Sequence, residues 1–151
     1  MPPTPRDVFH RLVDGVARLV TGDDGQVDAL ATLYAEQTYV THPMAPLGET
    51  PRRTREDLRR HFAAAVGALP DDLRDYRAEG IVIHHTTDPE VIVAEFRYAG
   101  TRDGRRWSVP CVFVLRVRDG EIVASRDYAD HLAMARLTGR LGGLLQRLAT
   151  A

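Results

Sequence analysis

Lysine and asparagine are absent from this 151-residue sequence, whose 20 basic residues are all arginine. Without a lysine amine no Schiff base can form with a carbonyl substrate, so that covalent route is closed. Codons for both missing residues begin with two adenines, which points to a GC-rich bacterial genome. Cysteine occurs once, as Cys111 within an apolar run, so no internal disulfide can form. A buried, inert thiol in a cytoplasmic protein is the expectation. No apolar run approaches the roughly 20 residues that span a bilayer, and the start MPPTPRDVF lacks the basic and apolar regions of a secretory signal. Excess charge is missing too. The 20 basic and 21 acidic residues leave a net charge of −1, which recommends neither nucleic acid nor an anionic membrane as partner. No HxxxH pair occurs, and the adjacent His84 and His85 would face opposite sides of a strand, as edge or surface residues. GRLGG at Gly139–Gly143 does not follow a strand, as a phosphate-binding loop would. Neither a metal nor a cofactor is expected.

What is present is enough apolar material, 44% of residues, for one domain over 1–151 with a sizeable core. Apolar residues from Val8 to Val20 recur at helical spacing after Thr4 and Pro5, predicting a helix over Pro5–Val20. A second helix reads from Val27 to Tyr34 and passes into a strand, Thr38–Thr41, that His42 ends before Pro43. Pro43 to Arg53 reads as an ordered loop. Thr54 with Asp57 signals a third helix, carrying Leu58, Phe62, Ala65, Val66 and Leu69 until Pro70.

Beyond Pro70 the period changes to two. Strands are predicted over Arg77–Thr86, Val91–Thr101, Arg106–Val117 and Glu121–Tyr128, with turns at Asp88-Pro89, Asp103-Gly104 and Asp119-Gly120. Helices followed by a strand meander give an α+β class. The expectation is a strongly curved mixed or antiparallel sheet wrapped around three N-terminal helices with an interior pocket. His131–Leu148 returns to helical spacing, weakened by Gly139, Gly142 and Gly143, so 132–151 is expected to form a helical tail or lid.

Three stretches, LATLYAEQTYVTHP at Leu30–Pro43, TREDLRRHF at Thr54–Phe62 and VLRVRDGEIVASRDYAD at Val114–Asp130, resemble the cone-shaped superfamily of nuclear transport factor 2, ketosteroid isomerase and the SnoaL-type polyketide cyclases. The resemblance implies the fold over nearly the whole chain. Activity varies across that scaffold and is not implied so firmly. In the cyclases the acid of the last-strand motif is the general base, a position held here by Asp127. Ketosteroid isomerases place their base before a Pro at the end of the first strand, where this chain has His42. Their oxyanion donors, a helix-1 Tyr and a strand acid, find no match, since helix 1 has no Tyr and the acid position falls on Phe113. The cyclases' His at that position is missing as well.

Strand alternation puts Val123, Ser125 and Asp127 on one face and Ile122, Ala124, Arg126 and Tyr128 on the other. If the first face lines the pocket, desolvation raises the Asp127 pKa and makes it a competent base beside a carbonyl. Asp127 could instead pair with an Arg or cap the following helix, for which Asp130 is the other candidate. Epoxide or lactone hydrolysis would need an Arg and a second Asp converging on water, and the adjacent Arg126 and Asp127 point oppositely, so that constellation is not visible. His42 could face Asp127 as acid or partner, or be a strand-end His bonded to backbone. Val40, Phe62, Trp107, Cys111, Phe113 and Ser125 are expected to contact the substrate, a small hydrophobic carbonyl compound. Both faces of the strand carrying Trp107 to Leu115 are apolar, so the outer face is expected to be covered by a second copy in a homodimer. The expected function is general acid–base catalysis of the isomerase or cyclase type, with a non-catalytic ligand-binding or dimerisation module as the alternative.

Overall fold

Helix α1 (Pro5–Val20) starts where the sequence places it because Thr4 and Asp7 close a reciprocal cap. The Thr4 amide donates to Asp7 at 2.9 Å and the Asp7 amide to Thr4 at 3.2 Å. Its stripe of Val8, Phe9, Leu12, Val13 and Leu19 is buried. This is the computed structural model of residues 1–151, and it sets α1 and α3 (Arg55–Ala65) against the inner face of a six-stranded sheet, with α2 (Gln26–Ala31) packed on α1 and α3. Strands β1 (Tyr34–Thr41), β2 (Arg52–Thr54), β3 (Arg74–His85), β4 (Val91–Arg102), β5 (Arg105–Arg118) and β6 (Glu121–Ala129) lie in the order β2-β1-β6-β5-β4-β3. The β1–β6 pairing is parallel and all others are antiparallel. No helix is long and apolar enough to cross a membrane.

Two hairpins follow directly from Asp-Gly pairs. Asp103-Gly104 and Asp119-Gly120 all adopt positive φ, from 52° to 80°. That is the geometry of two-residue turns whose twist matches the strands. Thr54 caps α3 as predicted, with Asp57 returning the bond. Arg55 then ties three elements together: Nε donates to the Tyr34 carbonyl at 2.8 Å, and the two terminal nitrogens reach Glu36 and Glu121.

Several boundaries differ from the sequence reading. Tyr34 opens β1 rather than closing α2, since helix α2 ends at Ala31. The loop after Pro43 contains the short strand β2, which pairs with β1. Helix α3 stops at Ala65, well before Pro70, because Val66 turns extended and Gly67 takes φ 63°. Strand β3 begins at Arg74, and the tail is two helices, α4 (His131–Leu137, capped by Asp130) and α5 (Leu141–Ala149), broken at Gly139.

The parity of β6 is also corrected. Val117 pairs with Ile122 but Arg116 with Ala124, leaving Val123 as an extra residue in a bulge. Ile122 therefore shares the inner face with Ser125 and Asp127, and all three are buried while Val123 is not. The outer sheet face has no helix over it in the single chain, and Val82 and Tyr39 are exposed there.

Thr54→Ala removes one half of the α3 cap and is expected to lower stability by about 1 kcal/mol in urea denaturation, with an unchanged m-value.

Candidate active site

A chamber of about 150 Å³ lies between helices α1 and α3 and the inner face of the sheet. Helix α1 contributes Leu12, Val16, Leu19 and Val20, and α3 contributes Leu58, His61, Phe62 and Ala65. The sheet adds Tyr34 and Val40 from β1, Tyr98 from β4, Phe113 from β5 and Asp127 from β6, with His42 at the end of β1. Asp127 and Phe113 are direct cross-strand partners.

Asp127 reaches this space because the Val123 bulge turns it inward. It is 7% exposed, and its Oδ1 accepts a hydrogen bond from the Ser125 hydroxyl. Burial pushes its pKa up to about 7, against the opposing effects of Ser125 and of Arg52 nearby. Oδ2 has no hydrogen-bonded partner and stands 3.6 Å from His42 Nε2. His42 is held from its other nitrogen. Nδ1 lies 2.7 Å from Glu49 Oε2 and 3.2 Å from Arg52 Nη1, and Glu49 and Arg52 also form an ion pair. The shorter contact favours the tautomer that donates Nδ1–H to Glu49, which leaves an Nε2 lone pair toward Asp127. Burial is the first cause of a lowered His42 pKa, with Glu49 opposing it.

A second imidazole stands beside the first. The rings of His61 and His42 are 5.8 Å apart, and burial drives the His61 pKa down to about 4. At neutral pH both rings are neutral and Asp127 is divided between its acid and its carboxylate. That is the state in which a carboxyl group both takes up and returns protons. No three His, Cys, Asp or Glu side chains converge to hold a metal ion.

Of the residues expected from sequence, Asp127, His42, Val40, Phe62 and Phe113 border one chamber. Ser125 stands behind Asp127 and touches it rather than the space. Cys111 and Trp107 lie off the chamber wall. Cys111 aims Sγ at the Val109 carbonyl, and burial pushes its thiol up to about 12. Trp107 is six residues before Phe113, about 20 Å along an extended strand, and Arg105 lies over its ring at 5.1 Å. Sharing a face with Phe113 was thus insufficient, because β5 runs past the chamber.

Sequence reasoning missed His61, Tyr34, Glu49 and Arg52. Leu58, His61, Phe62 and Ala65 follow the i, i+3, i+4, i+7 pattern of one helix face, so His61 could have been found. Tyr34 was hidden by its assignment to α2. Glu49 and Arg52 arrive from a loop and a three-residue strand with no periodicity. Arg52 is the arginine whose charge acts on Asp127, while Arg126 is exposed on the other face, as its strand parity predicts.

Residues 10–125 match the family model of the SnoaL-like domain. An uncharacterised PhzA/B-like protein of Pseudomonas aeruginosa is 28% identical over 124 residues, covering 81% of this chain and 83% of that one. Among solved structures, a Bacillus subtilis protein provisionally named an isomerase superposes with a TM-score of 0.65 at 18% identity, over 88% of this chain and 96% of its own. A protein of Silicibacter sp. TM1040, provisionally named a polyketide cyclase, gives 0.61 at 16% identity, over 87% and 93%. At these identities the structures establish a shared fold.

Between the ordinary carboxyl value of 3.8 and about 7, folded Asp127 holds a proton that the unfolded chain has released, so its contribution to stability falls as pH rises through that window. Three units correspond to roughly 4 kcal/mol at most. Asp127→Asn is expected to exceed the parent in stability at pH 8 and to match it near pH 4, as denaturation at both pH values will read.

Proposed function

The chain belongs to the SnoaL-like domain family, and on that premise we propose that it is a small cofactor-independent enzyme of the isomerase or cyclase type acting on a hydrophobic carbonyl compound. The observation that carries this reading is the Asp127 carboxyl: buried, with one oxygen bonded to Ser125 and the other free toward an apolar chamber.

In this reading the Asp127 carboxylate takes a proton from a carbon next to the carbonyl. The C–H electron pair passes into the enolate, and Asp127 becomes the carboxylic acid. Returning the proton to a different carbon gives an isomer. Attack of the enolate carbon on a second carbonyl forms a C–C bond and an alkoxide, which the same acid protonates. His42, neutral and fixed by Glu49, keeps its Nε2 lone pair beside Asp127 and can take over the proton between steps.

The lone Cys111 supports a cytoplasmic setting. We also place a second copy of the chain on the outer sheet face, where Val112 and Val114 lie half-buried and Val82 exposed with no helix over them. Light scattering at micromolar concentration should return twice the 16.8 kDa chain mass, and a monomer would remove this assignment.

Hydrogen–deuterium exchange at the α-carbons of cyclohex-3-enone, followed by NMR, tests the chemistry. The rate should rise with pH through about 7 as Asp127 ionises. It should fall about 10²- to 10⁴-fold in Asp127→Asn. An unchanged rate in that variant overturns the mechanism. Ligand binding with no exchange in the parent would favour a non-catalytic binding module, the reading favoured by the absence of both familiar oxyanion partners.

A further inference from the structure

Two neighbouring spaces lie against α1 and Tyr98, and their sizes differ greatly. The chamber holding Asp127 measures about 150 Å³, while an outer vestibule between the loop at 45–49 and helices α4 and α5 measures about 760 Å³. Val16, Val20 and Tyr98 border both, so these three side chains stand between the two spaces. We propose that the chamber is a subsite for a single six-membered ring, or an acyclic group of that size, whose carbonyl oxygen is held by the Tyr34 and Tyr98 hydroxyls while the remainder of an elongated ligand lies in the vestibule. The assignment deepens the reading of Asp127 as the base and rests on it for the position of the carbonyl.

Volume sets the ring limit. An apolar cavity of about 150 Å³ accommodates a benzene-sized molecule, so a fused ring system could enter by one ring at most. The vestibule suits a different part of the ligand. Ala45, Pro46, Leu69 and Leu144 give it apolar wall, and Glu49, Arg140 and Arg147 give it charge. A chain or second group of mixed polarity fits there, with the reactive ring deeper in.

Polar satisfaction identifies the oxygen's partners. Tyr34 and Tyr98 are 2% and 6% exposed and both border the chamber. Neither hydroxyl bonds to a protein group. Neither is sealed away, since the only sealed side-chain nitrogen or oxygen without a partner is His131 Nε2. Of the two spaces Tyr34 borders only the chamber and Tyr98 borders both, so a ligand oxygen lodged beside them can accept from their hydroxyls. Their rings are fixed in advance. Tyr98 stacks on Tyr76 at 5.7 Å and meets Phe96 edge-on at 5.2 Å, and Tyr34 packs on Phe62 at 6.0 Å. Burial holds both phenols well above their ordinary pKa, and Asp127 reinforces the effect, so both remain O–H donors. Fixed donors of this kind stabilise a developing enolate oxygen without reorganising.

Titration calorimetry with non-reacting phenols tests the proposal without any chemistry. 4-Hexylphenol should bind one per chain, at least tenfold tighter than phenol, because its chain reaches the vestibule. 6-Hexyl-2-naphthol, though more apolar, should bind at least tenfold more weakly than 4-hexylphenol. Tyr34→Phe and Tyr98→Phe should each weaken 4-hexylphenol about tenfold and leave 4-hexyltoluene, which lacks the oxygen, unchanged. Asp127→Asn should still bind 4-hexylphenol, so loss of turnover and loss of the subsite are separable. Equal or tighter binding of the naphthol overturns the one-ring limit, and unchanged binding in both Phe variants overturns the role of the hydroxyls. Failure of 4-hexylphenol to bind at millimolar concentration overturns the subsite altogether.

Discussion

Asp127 loses nearly all of its water when the sheet wraps around α1 and α3, and its charged form bears the cost. The same burial acts on His61 with the opposite result, because for an imidazole the charged form is the protonated one. Near pH 5.5 the carboxyl is therefore mostly protonated and the imidazole mostly neutral. Neither brings net charge into a space walled by Leu12, Leu19, Leu58 and Phe62. An apolar cone can hold titratable groups at its centre only if their charges are suppressed in this way. Proton transfer needs little more, since a carboxyl near its midpoint at neutral pH is already a donor and an acceptor.

Permanent charge is kept at the rim. Glu49 and Arg52 pair with each other at the mouth, 10 or fewer residues along the chain from His42, and meet only its outward nitrogen. Their placement depends on the loop that follows Pro43, and its far end is fastened by β2 against β1 and by the Thr54 cap. Arg55 continues the same construction by joining α3 to the starts of β1 and β6. The polar groups that orient the site and those that hold its elements together thus occupy adjacent residues, Arg52 to Arg55.

Locally encoded features were legible in the sequence. Thr4 with Pro5 marked the start of α1 and Thr54 with Asp57 that of α3, where the structure closes a capping box at each, and two Asp-Gly pairs marked the hairpins. Asp127 and His42 were legible as a pair because each sits at a strand end beside a strong signal, a helix cap in one case and a proline in the other. Features created by pairing between distant segments were not. Strand β2 exists only through β1, and Tyr34 becomes a strand residue through its partner Ile122. The break of α3 at Val66 was hidden because Val66 and Leu69 continue the apolar pattern past the true end. Trp107 and Cys111 show the limit of face arguments, since alternation says which way a side chain points and not what lies opposite it.

The extra residue at Val123 carries a topological consequence. A strand has two faces and a period of two, so every residue after a bulge exchanges inside for outside. Upstream of Val123 the β6 pattern serves the hydrophobic core through Ile122; downstream it delivers Asp127 to the chamber. Chain length in this strand therefore behaves as an odd-or-even switch. Losing or gaining one residue between Ile122 and Ser125 would turn the carboxyl to the outer sheet face with the amino-acid content of the site intact, whereas a change of two would restore it.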